Sequence, residues 1–195
     1  MSLLSFFGRT RQFESQVAES RNRLWRLAYA WCHSRHVADD LVQDTLAKAL
    51  VRHNQLRDPA ALSGWLCSIL ANCWHDHLRS RKETTDIDDV DECELPESEQ
   101  PDDGYAQNEI VRRVRQAVAL LPTGQREVVT LVDLEEMSYA EVATILDIPI
   151  GTVMSRLSRA RTTLRDKLKD RTACTVAPAG TAGTAGTAAI YRLHG

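Results

Sequence analysis

Between residues 84 and 104 the chain reads TTDIDDVDECELPESEQPDDG, in which ten side chains are acidic and none is basic. Too few apolar residues interrupt that charge to bury a core, so the stretch reads as a linker and whatever folds must lie on either side of it. The 195-residue chain is thereby divided into two small units. Its charge is divided as well. The formal net charge of -3 would become +7 without the acidic stretch, and residues 1–83 alone carry 12 Lys and Arg against 8 Asp and Glu. The two units are mildly basic, which suits an anionic partner.

Both units read as helical. In the first, Ala38, Leu41, Val42, Thr45, Leu46 and Ala49 recur at helical spacing along VADDLVQDTLAKAL, after a turn at HSRH that closes a longer helix beginning near residue 12. Asp40, Gln43, Asp44 and Ala47 fall on the opposite, solvent-directed face. Asp58 and Pro59 have the order of an N-cap and a first helical residue, and open a helix whose buried stripe is Leu62, Leu66, Ile69, Leu70, Cys73 and His77, with Trp65 and Trp74 at its margins. Ser68, Asn72, His75, Arg79 and Lys82 project the other way, on a face that turns basic towards its end.

In the second unit a helix over about 105–120 is broken by Pro122, and TGQREVVTLVDLEE supplies another. Ser138 and Glu141 have the spacing of a capping box, which starts the short helix YAEVATIL. The turn DIPIG and a longer basic helix follow, the layout of a helix-turn-helix whose second helix enters a DNA major groove. On that second helix, starting at Thr152, Val153, Leu157, Ala160, Leu164 and Leu168 line one side. Ser155, Arg159 and Thr162 lie opposite, within reach of base edges; Arg156 and Arg161 on the flanks suit phosphates, as do the amide groups near Gly151 and Thr152.

The second unit, LPTGQREVVTLVDLEEMSYAEVATILDIPIGTVMSRLSRARTTLRDKL, closely resembles region 4 of bacterial sigma factors of the extracytoplasmic-function group within the sigma-70 family. ADDLVQDTLAKAL with ALSGWLCSILANCWHDHLRSR resembles their region 2. The resemblance covers about residues 12 to 169 and implies an all-α fold of two helical domains joined by a flexible acidic linker. The units are then an N-terminal extension over 1–11, region 2 over 12–83, the linker over 84–104, region 4 over 105–170 and a low-complexity tail of Gly, Ala and Thr over 171–195.

The resemblance also implies a function, the binding of core RNA polymerase and the direction of promoter-specific transcription initiation. Asp40, Gln43 and Asp44 would face polymerase. Asn72 and Asp76 would meet a base extruded from the −10 element, with Arg79, Arg81 and Lys82 on nearby phosphates. Thr152, Ser155, Arg156, Ser158, Arg159 and Arg161 would read and hold the −35 duplex. Two departures stand out. Met154 occupies a position where the family commonly has Lys or Arg, and Asp76 replaces a residue that is often neutral or amidic.

Partners implied are core polymerase, promoter DNA and an anti-sigma factor. No cofactor, membrane insertion or catalytic residue is expected: Gly-rich phosphate loops, nucleophile elbows and paired catalytic carboxylates are missing, and no stretch approaches the ~20 apolar residues of a membrane span. Five cysteines (32, 67, 73, 93 and 174) without CxxC spacing, and no export signal, predict reduced thiols and a cytoplasmic location. Cys73 and His77 have zinc-ligand spacing, as do Cys32 and His36, but the first pair falls on the core stripe and a helix-ending turn explains the second. The alternatives are a stand-alone helix-turn-helix regulator, against which the upstream unit and linker argue, and a metal-dependent hydrolase built on these Cys and His residues.

Overall fold

The computed structural model describes residues 3–56, 58–84 and 105–173, with side chains described over 11–56, 58–81 and 111–169. The acidic linker, the low-complexity tail, most of the N-terminal extension's side chains and the side chain of Lys82 lie outside the described residues. Among the described residues the architecture is all-helical. In chain order α1 is Leu3–Glu19, α2 Arg21–Cys32, α3 Arg35–Val51, α4 Leu62–Thr84, α5 Tyr105–Ala119, α6 Thr123–Val129, α7 Tyr139–Leu146 and α8 Ile150–Ala173.

The first unit is formed by α1 to α4. The expected long helix from residue 12 is instead two, α1 beginning at Leu3 and breaking from α2 at Ser20. There the Ser20 amide is shared between the Gln16 and Val17 carbonyls at 3.2 Å each, and its hydroxyl donates back to Gln16 O at 2.9 Å. A hydroxyl that competes for the backbone in this way bends the chain without a Gly or Pro. His33 then stops α2 in the left-handed conformation (φ 55°), and the Ser34 hydroxyl accepts from the Val37 amide to start α3. The α3 stripe is as expected: Ala38, Leu41, Val42, Thr45 and Ala49 are buried, and the Thr45 hydroxyl is satisfied by Leu41 O at 2.7 Å. Asp58 caps a single 3-10 turn, Pro59–Ala61, ahead of α4.

In α4, Leu62, Leu66, Ile69, Leu70 and Cys73 are buried, whereas His77 is only half-buried and stacks on Trp74 with ring centroids 5.8 Å apart. Cys67, Ala71 and Trp74 are buried too, which a single stripe does not explain. A helix buried on two faces needs a neighbour on each. α2 and α3 cover one face of α4, and α7 of the second unit packs on the other.

α5 to α8 form the second unit. Leu121, Val128, Leu131, Val142, Ile145, Leu146, Val153, Leu157 and Ala160 pack where α5, α6 and α7 meet α8. After α6 the backbone widens into a π-type turn over Thr130–Leu134, with the Glu135 amide bonded to Thr130 O at 3.1 Å. The capping box forms: Ser138 Oγ accepts from the Glu141 amide, and Glu141 Oε2 accepts from the Ser138 amide at 2.9 Å. Asp147 ends α7 at φ 51°, and α8 starts at Ile150, two residues earlier than expected, because Pro149 O already accepts from the Thr152 and Val153 amides. The buried core runs continuously from one unit into the other.

Candidate nucleic-acid interface

α7 and α8 make the helix-turn-helix. Val153, Leu157 and Ala160 are buried, Leu164 and Leu168 half-buried, and Ser155, Ser158, Arg159 and Thr162 stand exposed on the other side. Ser155 and Thr162 hydroxyls return to the Thr152 and Ser158 carbonyls, at 3.1 and 3.0 Å. The exposed row therefore keeps its acceptor lone pairs and the Arg159 fork for a groove edge. Thr152 is half-buried at the first turn.

The two flanking arginines differ from the row. Arg156 is half-buried, its guanidinium lying so close over Gly124 that a Cβ there would sit 2.8 Å from Nη1, so glycine at 124 makes room for it. Arg161 forms a fork on Asp133 of the π-type turn, with Nη2 at 2.5 Å from Oδ1 and Nε at 3.2 Å from Oδ2. That bond, assisted by Tyr139, raises the arginine's pKa above its ordinary value. Tyr139, Met154, Leu157, Ser158, Arg161, Thr162 and Arg165 border a shallow concavity on this side of α8.

On α4, Asn72, Asp76 and Arg79 are exposed along one side and Arg81 is exposed about half a turn round; Asp76 accepts from Arg79 one turn on. On α3, Asp40, Gln43 and Asp44 are exposed together, and His36 Nδ1 lies 3.0 Å from Asp40 Oδ2. Cys73 is buried with its thiol 3.2 Å from Lys48 Nζ, and His77 stacks on Trp74.

The model of sigma-70 region 2 matches residues 17–84 and that of sigma-70 region 4 matches residues 111–164. The RNA polymerase sigma-H factor of Pseudomonas aeruginosa is 30% identical over 163 residues, covering 79% of this chain and 84% of that protein. The chain belongs to the sigma-70 family. Its relatives place it in the extracytoplasmic-function group: the ECF sigma factor SigE of Mycolicibacterium smegmatis is 31% identical over 170 residues, which are 86% of this chain and 65% of the longer SigE. The sigma factor RpoE of Bartonella quintana, solved in complex with the anti-sigma factor NepR, superposes with a TM-score of 0.67 at 28% identity, over 82% of this chain and 98% of that one.

As a sigma factor the chain directs core RNA polymerase to promoter DNA. What the sequence reading of this sigma factor missed is a set of polar residues between its two units. Arg23 pairs with Glu135, Trp31 Nε1 donates to Thr130 Oγ1 at 2.7 Å, and Arg126 Nη1 donates to Trp31 O at 2.5 Å. His75 Nε2, read earlier as part of an open polar face, lies 3.0 Å from Glu127 Oε1. Glu127 is only 3% exposed. A carboxylate inside the apolar run EVVTLV was the available signal, since such a group is rarely buried without a partner.

Proposed function

We propose that this sigma factor uses three separate surfaces. Asp40, Gln43 and Asp44 on α3 dock core polymerase; Asn72, Asp76, Arg79, Arg81 and Lys82 towards the end of α4 hold the melted −10 strand; Thr152, Ser155, Arg156, Ser158, Arg159 and Arg161 on α8 engage the −35 duplex. The single observation that carries the reading is the division of α8 into a buried row, Val153, Leu157 and Ala160, and an exposed row, Ser155, Arg159 and Thr162, behind a capped short helix. Any packed surface helix divides into two rows; what favours groove readout is an exposed row of short polar side chains around one arginine fork, placed behind a capped short helix and a tight turn.

Within the exposed row Arg159 donates its fork to a guanine edge and the serines adjust to either strand. Arg156 and Arg161 are held against the protein, by the α6 start and by Asp133, so they present cationic charge at fixed positions to phosphates. The chain contributes no catalytic group in this scheme; polymerase performs the chemistry. It works in the cytoplasm, and a protein of the anti-sigma class is a partner in keeping with the NepR complex of its Bartonella relative.

Run-off transcription from a pool of genomic fragments, with active core polymerase and this chain, tests the proposal. Transcripts that start at a shared pair of −35 and −10 sequences are expected. Tight binding of a palindrome by the chain alone, without selective transcripts, would replace the reading with a stand-alone regulator.

A further inference from the structure

Centres of the −35 and −10 elements are about 25 base pairs apart, roughly 85 Å along B-DNA. In this structure α7 packs on both α4 and α8. Interaxial steps of about 8–10 Å put the axes of α4 and α8 within roughly 20 Å of each other, and α8 itself, at 24 residues, is only about 36 Å long. The closed molecule cannot lie on both elements at once.

The seam that holds it closed combines the apolar packing of α7 on α4 with a set of polar groups, and the polar groups are the part whose state can change. Trp31, Thr130 and Arg126 form its centre, and Arg126 Nη2 is further bound to Ala119 O and Leu121 O at 2.8 and 2.9 Å. Arg23 with Glu135 and His75 with Glu127 form two pairs that bridge the units. In each pair the carboxylate is buried while its cation is partly exposed, and a buried carboxylate left without its partner is destabilising. A seam built from them switches on the state of single groups.

His75 of the seam and His33, which adjoins it at the end of α2, have opposite surroundings. His75 on α4 faces Glu127 of α6, with Asp76 and Arg79 of its own helix nearby. His33, at the end of α2, lies edge-on to Tyr29 and within the field of Arg126 of α6, which binds the Trp31 carbonyl two residues before it; its Nε2 is buried and bonded to no protein group among the described residues. We propose that the seam between the two units is a proton-sensitive autoinhibitory latch: His75 must keep its proton and His33 must stay neutral for the chain to remain closed, and loss of either condition frees α4 and α8 to span a promoter.

The signs follow from the two sites. The hydrogen bond to Glu127 raises the pKa of His75 above its ordinary value, so its contribution to closure is complete below about pH 6.5 and is lost as pH rises through the raised value. Burial, with Arg126 beside it, lowers His33 to about 4, so its contribution is complete above about pH 6.5 and is lost as pH falls towards 4. Closure is strongest near the ordinary histidine pKa and weakens on both sides.

Small-angle X-ray scattering of the full chain between pH 5 and 8.5, with far-ultraviolet circular dichroism at each point, tests the latch. The expected radius of gyration is smallest near pH 6.5 and rises on either side while helicity holds. Glu127→Gln should raise the open-to-closed ratio ~10-fold or more, the worth of a charge-assisted hydrogen bond. His75→Lys, which keeps a cation opposite Glu127 at every pH tested, should abolish the alkaline rise alone. If Glu127→Gln loses helicity, Glu135→Gln at the opposite edge of the seam is the decisive variant. A radius that is flat with pH and identical in all folded variants overturns the latch.

The gating role rests on the promoter-surface reading, and transcription separates the two. Opened variants should reach half-maximal run-off at lower sigma concentration than the parent. Opening without that gain overturns gating, whereas absence of selective transcripts from every variant, parent included, overturns the promoter reading and leaves the latch to the scattering result.

Discussion

Arg159 and Arg161 are two residues apart on α8 yet meet different surroundings. Arg159 is exposed in the row with Ser155 and Thr162, and Arg161 is tied by two hydrogen bonds to Asp133. Arg159→Ala should weaken −35 binding by about 1–3 kcal/mol and relax the preference at one base position, because the fork that reads the base is gone. Arg161→Ala removes a fixed cation and uncovers Asp133 towards DNA, so affinity should fall alike on all sequences. Binding of a randomised −35 library by the holoenzyme distinguishes them; identical specificity profiles would contradict the facing of this helix. That facing was legible in the sequence, since helical period alone separates Val153, Leu157 and Ala160 from Ser155, Arg159 and Thr162. The tie to Asp133 was not, because a π-type turn 28 residues upstream delivers it and no local pattern announces such a turn.

At the scale of the element, α3 pairs a buried stripe with an exposed stretch formed by Asp40, Gln43, Asp44 and Ala47. Asp40 and Asp44 lie one turn apart with Gln43 between them, and the Asp40 contact is to His36 of the same helix, so the pair supports no tertiary packing. Asp40→Lys with Asp44→Lys should therefore leave helicity and thermal unfolding close to the parent's while impairing capture of core polymerase. Affinity measured by co-sedimentation or by competition with another sigma factor checks this, and unchanged affinity would return the patch to solvent. α3 and α7 were the elements easiest to read: one has an unbroken 3.6-residue stripe, the other a capping box that the structure reproduces. The break at Ser20 was hidden because a serine hydroxyl made it, where Gly or Pro would have shown.

At the scale of the molecule, the seam and the acidic linker both concern how two basic units coexist in one chain. The seam was illegible since it joins residues 52 to 112 positions apart, and α4 shows only one periodic stripe to a reader who does not know that α7 covers a second face. The linker was legible as charge and lies outside the described residues, so its role is argued from electrostatics. The family resemblance implies that the segment between regions 2 and 4 follows polymerase channels that nascent RNA later fills, a path that would be lined with cations. Ten carboxylates would suit such a path until RNA displaces them. Off polymerase, the same charges compete with DNA phosphates for the basic faces, since release of counterions from phosphates is what drives nonspecific binding. Replacing Asp86, Asp88, Asp89, Asp91, Glu92 and Glu94 with Ser should thus raise nonspecific DNA binding by the free chain, steepen its dependence on salt, and alter the ratio of abortive to full-length transcripts in the holoenzyme. Salt titrations and transcript ladders that match the parent would reduce the linker to a spacer. The seam supplies the internal control, because Ser substitutions in the linker leave His75, Glu127 and Arg126 untouched and should not move the pH at which the molecule is most compact.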